Sequence, residues 1–118
     1  MNQSTTITID AKGKVLGRLA SEIAFELMGK NSVRYAPNVV TKSKIVVRNA
    51  ADVLVTGTKM QTKEYHHHSG YLGGLKTEKF AELFIKNPAT VLRRAVQGML
   101  PRNRLHKDRM SQLIIHAH

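Results

Sequence analysis

A dense group of basic side chains lies between residues 93 and 109. Six Lys and Arg residues stand there against a single acid, Asp108. The six are Arg93, Arg94, Arg102, Arg104, Lys107 and Arg109. Arginine suits phosphate recognition because its planar guanidinium donates two parallel hydrogen bonds to phosphate oxygens and also stacks on bases. The alternative is a helical face whose charges meet only water, but the charge of the whole chain favours contact with nucleic acid.

A second candidate is the stretch rich in histidine and glycine at residues 66–76. Glycines let a backbone approach a phosphate closely, and consecutive amide groups can form an anion-binding nest. The ring of Tyr71 can stack on a base, the histidines can donate to phosphate or 2′-hydroxyl groups, and Lys76 adds charge. An ordinary glycine-rich turn beside a polar strand explains the same residues equally well.

The adjacent histidines also raise the hypothesis of a metal site in a small metal-dependent hydrolase. Neighbouring side chains of an extended chain point to opposite faces, so at most His66 and His68 share one side. A catalytic zinc needs three protein ligands around an open position, and His116 and His118 would have to fold back to supply another. Glu64 is the only nearby acid that could act as a general base. We therefore expect no metal, no cofactor and no catalytic site.

Common nucleotide-binding motifs are missing from the sequence. Gly29 and Lys30 are followed by Asn31, and no glycine precedes them at the spacing of a P-loop. There is also no G-x-G-x-x-G motif. With 3 Phe, 3 Tyr and no Trp, the aromatic stacking platform of a single-strand binder would be thin.

The overall charge indicates a polyanionic partner. Nineteen Lys and Arg against 8 Asp and Glu give a net charge of +11, and basic groups that neutralise phosphates release condensed counterions. The chain has no Cys, which suits a reducing compartment. It has neither the apolar core of a signal peptide at residues 1–10 nor a run of about 18 apolar residues that could span a membrane. We expect a cytoplasmic protein with no membrane partner.

The first elements that must position these residues are a strand and a helix. Polar and β-branched apolar residues alternate over residues 6–10 and predict a strand. Apolar pairs then recur about every four residues over residues 15–28, which predicts an amphipathic helix ended by Gly29. Short apolar runs at residues 45–47 and 53–55 are typical of strands covered on both faces. Residues 65–76 predict a shaped loop.

Helices dominate the second half of the chain. Thr77 is placed to cap a short helix with Phe80 on its inner face. Pro88 suits the first position of a longer amphipathic helix, and residues 103–111 predict another short helix. The apolar residues 113–115 predict a closing strand. Strands separated by helices indicate an α/β layered fold with a mostly parallel sheet.

Several segments together resemble the L-thirteen family of large-subunit ribosomal proteins. The stretch DAKGKVLGRLA at residues 10–20 is similar to the opening of that family, and NA at 49–50 followed by TGTK at 56–59 is similar to its next segment. HHSGY at 67–71, with the glycine pair after it, matches the His-Ser/Thr-Gly loop of the family. AVQGMLPRN at 95–103 resembles its most distinctive stretch. The order and spacing agree from about residue 7 to the end.

The resemblance implies a single ribosomal-protein domain over residues 1–118, with a three-layer α/β/α fold and a mostly parallel four-stranded sheet. It implies a structural, non-enzymatic protein that binds large-subunit ribosomal RNA, lies beside neighbouring large-subunit proteins and supports early subunit assembly. The resemblance implies a location in a cytoplasmic ribosome, and an organellar ribosome is also compatible. Together with the basic segment, the predicted RNA contacts are Lys59, His67, His68, Ser69, Gly70, Tyr71, Gly73, Gly74, Lys76, Arg93, Arg94, Arg102, Asn103, Arg104, Lys107 and Arg109.

The chain departs from the family pattern at three places. Thr5 and Thr6 stand near the usual aromatic pair, Leu105 is followed by His106 and Lys107 instead of Gly-Arg, and the chain stops at 118 where relatives often continue. These differences affect terminal contacts. A second hypothesis is a regulatory protein that binds messenger RNA.

Overall fold

The structure is a computed structural model that describes residues 5–33, 35–40 and 42–118, apart from the side chains of residues 59 and 60. Three parallel strands form its main sheet, in the spatial order β1, β2, β5. They are β1 (Thr5–Asp10), β2 (Ser43–Arg48) and β5 (Leu113–Ile115). Ile45 pairs with Ile7 on one side and with Leu113 on the other. The three strands predicted at these places are therefore confirmed.

The fourth parallel strand, predicted from the apolar run at residues 53–55, does not form as a strand in the described part of the chain. Leu54 makes a single parallel bridge to Val15. The Leu54 amide donates to the Lys14 carbonyl at 2.9 Å, and the Leu16 amide donates to the Leu54 carbonyl at 2.9 Å. Pairing ends there because the first helix starts at Leu16 and takes the neighbouring backbone away. The fold is mixed α/β, and the three-layer arrangement remains a prediction.

Helix α1 (Leu16–Met28) supplies the central stripe of the core. Its buried residues are Leu16, Leu19, Ala20, Ile23, Ala24 and Leu27. They pack with Ile45 and Val47 of β2, and each large aliphatic side chain buried in this way contributes about 1.5–3 kcal/mol. Gly29 ends the helix with a left-handed φ of 76°, as predicted. In that conformation its amide caps the last turn, and glycine adopts it without the steric strain that a side chain would cause.

The second half contributes four helices among the described residues. They are α2 (Lys59–Thr62), α3 (Phe80–Lys86), α4 (Pro88–Met99) and α5 (His106–Ser111). The start of α4 at Pro88 is confirmed, and α4 packs Val91, Leu92 and Val96 into the core. Helix α5 contacts α1 and β5. Within the described residues, no helix is both long and apolar enough to cross a membrane.

An antiparallel hairpin replaces the loop predicted at residues 65–76. Its strands are β3 (Glu64–His68) and β4 (Leu75–Lys79). Thr77 pairs with His66 in this hairpin, so it cannot cap the next helix. Helix α3 begins at the buried Phe80 instead, with Lys79 in the capping position. The prediction for Thr77 was wrong because strand pairing with a distant segment outweighed its local preference for a cap.

Candidate nucleic-acid interface

The hairpin presents its histidines on a strand and its glycines in a short loop. His67 lies opposite Lys76, and His68 lies opposite Leu75. The Ser69 amide donates to the Gly74 carbonyl at 3.1 Å, which closes the loop. The predicted RNA contacts in the loop and on its flanks are therefore held at one exposed end of the hairpin.

Backbone requirements account for two of the loop glycines. Gly70 has φ +90°, a conformation that side chains rarely adopt. A Cβ at Gly74 would clash with the Ser69 hydroxyl and would lie 2.9 Å from the Tyr71 carbonyl oxygen. The Gly70 amide also donates to Nδ1 of His68 at 2.9 Å. Because Nδ1 accepts, the neutral ring carries its proton on Nε2, where it can donate to an RNA oxygen.

Apolar side chains cover the tip of the hairpin. Tyr71 is 80% exposed, and Leu72 is fully exposed. Such an aromatic and aliphatic tip, next to histidines and Lys76, can pack on the faces of unstacked bases. The exposure fits the stacking role predicted for Tyr71, although Leu72 was missed because an isolated leucine in a loop carries no sequence signal.

Arg94 fastens the hairpin to helix α4. Its guanidinium lies 4.8 Å from the centre of the Tyr65 ring, and its Nη2 lies 3.5 Å from a carboxylate oxygen of Glu78. The Tyr65 ring in turn stands 6.1 Å from the ring of buried Phe80. Partial burial raises the pKa of the Tyr65 hydroxyl, against the opposing effect of the Arg94 charge. This arrangement was invisible in the sequence because it joins residues from four elements, β3, β4, α3 and α4.

A cleft of about 790 Å³ separates the hairpin from the end of α4. The hairpin side contributes Tyr65, His66, His67 and Glu78. The helix side and the segment after it contribute Arg94, Gln97, Gly98 and Arg102. Of the two segments that the sequence singled out separately, the cleft brings together His67 from the first with Arg94 and Arg102 from the second, whereas the loop after His67 does not line it.

The segment that follows α4 is exposed and shaped by its own turn. Asn103 accepts a hydrogen bond from the Leu105 amide at 3.0 Å through its side-chain oxygen. Arg102, Arg104 and Lys107 are exposed, so their charges are accessible to phosphate. Arg93 is also exposed, with one guanidinium nitrogen 3.5 Å from the Leu113 carbonyl oxygen. The amide group of Asn103 keeps its two N–H donors, because only its oxygen shapes the turn.

Comparison with known proteins assigns the family. The family model described as Ribosomal protein L13 matches residues 4–118. The chain belongs to the ribosomal protein L13 family. A protein of Alkalilimnicola ehrlichii named large ribosomal subunit protein uL13 is 48% identical over 109 residues, which cover 92% of this chain and 77% of that protein.

Other relatives carry the same name at similar distance. The protein of Legionella pneumophila strain Corby is 48% identical, over 92% of this chain and 76% of its own length. The protein of Teredinibacter turnerae is 49% identical, over 92% of this chain and 77% of its own length. The names refer to the large ribosomal subunit and say nothing of messenger RNA, so the regulatory hypothesis gains no support.

One predicted contact of this L13-family chain is wrong. Arg109 is only 1% exposed, so it cannot reach a phosphate on the surface. Its guanidinium donates to the Pro37 carbonyl at 3.4 Å and links α5 to the loop before β2. The charge suggested a surface position, but α5 packs against α1 and β5 and turns residue 109 inward. Lys59 begins α2, and its side chain lies outside the described part of the chain.

His66 of the L13-family hairpin has polar neighbours on both strands of the hairpin. Nδ1 of His66 lies 3.0 Å from the Thr77 hydroxyl, and its Nε2 lies 3.8 Å from a carboxylate oxygen of Glu64. In the part of the chain that the structure describes, no three His, Cys, Asp or Glu residues gather into a group that could hold a metal ion.

Proposed function

We propose that this chain is a structural constituent of the large ribosomal subunit that binds large-subunit ribosomal RNA and supports early subunit assembly. It acts as one domain, beside neighbouring large-subunit proteins. The hairpin and the segment at residues 98–104 form the principal RNA surface, with the exposed basic residues around them. Membership of the ribosomal protein L13 family supports this role, and the proposal includes no catalytic step.

The observation that carries the proposed surface is the cleft shared by the hairpin and α4. Arg102 lines this cleft together with His67 and Gly98. Gly98 has nothing within 4 Å of the place where a Cβ would stand, so an RNA strand can approach the helix backbone closely there. A net charge of +11 attracts RNA to the domain from any direction, whereas the cleft provides a specific place for one RNA strand to bind.

Sucrose-gradient sedimentation tests the proposed role. A lysate of cells that express the chain is fractionated at moderate and at high salt, and the chain is followed across the gradient. Sedimentation with the large subunit at moderate salt is expected. A chain that stays at the top of the gradient under both conditions contradicts the proposal.

The salt dependence of RNA binding tests the proposed surface. If Arg102 and Arg104 each neutralise one phosphate, replacing both by Gln lowers the slope of log K against log salt by about 1.4–1.8, because each contact contributes ~0.7–0.9. The matched control replaces Arg18 and Arg48, two exposed arginines of α1 and β2, and should leave the slope unchanged. Equal slopes in the wild type and the Arg102/Arg104 variant would exclude both residues as phosphate contacts.

A further inference from the structure

The cleft between the hairpin and α4 contains a carboxylate inside a basic surface. Glu78 projects from β4 into the cleft that His67, Arg94 and Arg102 also line. A carboxylate repels phosphate, so it lowers the affinity of a surface that binds only the RNA backbone. Its side chain remains 45% exposed, which leaves it accessible to a ligand. Beyond its ion pair with Arg94, the Glu78 carboxylate can accept hydrogen bonds from a ligand group other than phosphate.

The size of the cleft limits what it can hold. Its volume of about 790 Å³ falls within the ~300–1,000 Å³ typical of clefts that enclose one small molecule. One unstacked nucleotide, with part of a neighbour, fits such a space. Proteins read RNA sequence mainly from bases that are splayed out of the stack in this way.

The polar groups of the cleft favour a particular base. An ionised carboxylate only accepts hydrogen bonds. Guanine presents two adjacent donors, N1–H and the N2 amino group, and both can reach one carboxylate. Adenine and cytosine place a ring acceptor beside their amino group, and uracil has one N–H between two carbonyls. Only guanine therefore satisfies both carboxylate oxygens without repulsion.

We propose that this cleft binds one unpaired guanosine of the RNA, with Glu78 as the acceptor for the N1–H and N2–H groups of the base. Gln97 lines the same cleft from α4, and its amide donates to the guanine carbonyl O6. Arg102 at the cleft binds the adjoining phosphate, and Arg94 holds the Glu78 carboxylate through their 3.5 Å ion pair. The proposal rests on the proposed function, since it names the base that the RNA surface selects.

Short RNA probes test the selectivity directly. The probes are oligouridines in which the central nucleotide is A, C, G, U or inosine, and affinity is measured by fluorescence anisotropy at low salt. The guanosine probe should bind at least about fivefold tighter than the adenosine, cytidine and uridine probes, as for a bidentate base contact. Inosine lacks the N2 amino group, so its affinity should fall between those of guanosine and uridine.

Two variants locate the selectivity. Glu78→Gln should abolish the preference for guanosine and leave or raise the affinity for the uridine probe, because a repulsive charge is lost. Glu82→Gln, on α3 and outside the cleft, removes the same charge and should keep the preference. Gln97→Ala, which does not disturb the ion pair with Arg94, should weaken guanosine binding alone, whereas Gln61→Ala on α2 should change nothing.

The outcomes separate this inference from the proposed function. Equal affinity for all probes, or a guanosine preference that survives Glu78→Gln, overturns the guanosine site. A chain that sediments with the large subunit but binds none of the probes also overturns it and leaves the ribosomal role intact. A chain that neither sediments with the subunit nor binds the probes overturns both.

Discussion

Replacement of Arg94 by Met tests whether this residue holds the hairpin onto α4. Methionine keeps an unbranched apolar stem against Tyr65 but removes the charge. The lost cation–π contact, at 4.8 Å from the ring centre, is worth about 0.5–1 kcal/mol at a partly exposed site. The ion pair with Glu78 joins side chains that are 36% and 45% exposed, so solvent screening limits it to ~0–1 kcal/mol. The free energy of unfolding should fall by about 0.5–2 kcal/mol, the sum of the two contributions.

Urea and thermal unfolding measure this loss. For a chain of 118 residues, each kcal/mol shifts Tm by about 3–6 °C. A double-mutant cycle with Tyr65→Leu isolates the contact, and we expect a coupling energy of about 0.5–1 kcal/mol. Arg93→Met with Tyr65→Leu is the matched control, and these changes should be additive within ~0.5 kcal/mol because Arg93 points to the Leu113 carbonyl instead.

Two results would refute the role of Arg94 in holding the hairpin onto α4. One is additivity of Arg94→Met and Tyr65→Leu. The other is an unchanged unfolding free energy together with a salt slope for RNA binding that falls by ~0.7–0.9. The second result would make Arg94 a phosphate contact with no structural role, as its charge alone suggested. If Arg94 holds the hairpin onto α4, Arg94→Met should weaken RNA binding at an unchanged salt slope. The loosened hairpin then changes its position, but the number of phosphate contacts stays the same.

Three further predictions test the same structure. Gly98→Ala and Gly17→Ala should each stabilise their helix by up to about 1 kcal/mol, since nothing lies within 4 Å of either added Cβ. Only Gly98→Ala should weaken RNA binding in a filter assay. Equal effects of the two substitutions on RNA binding would contradict the close approach of RNA to α4. Gly74→Ala should shift the hairpin loop, which limited proteolysis would report, and lower RNA affinity in the filter assay. The unfolding free energy from urea titration should stay the same, because the core is untouched. The pKa of Asp10 is lowered, first by the hydrogen bond from Asn49 and then by the Lys12 amide. Its contribution to stability is therefore present above pH 3.8 and is lost as the pH falls through the lower pKa of Asp10 in the folded state. Asp10→Asn should accordingly flatten the acid limb of a curve of unfolding free energy against pH. An unchanged acid limb would exclude this linkage.

Local patterns predicted those elements whose cause is local. The stripe of α1 and its end at Gly29 follow from a period near four and from the backbone freedom of glycine. The start of α4 follows from the preset φ of Pro88. The short apolar run at residues 113–115 predicts β5, although only Leu113 of the three is fully buried. In each case the residues that form the element also carry the signal.

The hairpin shows where local patterns fail. Every side chain of β4 is exposed, as are four of the five in β3, so no apolar alternation marks either strand. Their pairing depends on contacts between segments, on the Tyr65 ring against Phe80, and on Arg94. Sequence motifs identified the residues of the hairpin as binding candidates but described them as a loop.

The charge, the principal helices and the strands β1, β2 and β5 follow from composition and hydrophobic periodicity, which can be read without the fold. The family follows from the motifs. Three other features arise only from tertiary packing. It limited the segment at residues 53–55 to one bridge, turned Arg109 into the interior, and brought Glu78 and Gln97 to one cleft with Arg102. Each depends on which distant surfaces pack together, and the free energy of that packing is a property of the whole fold rather than of any one segment.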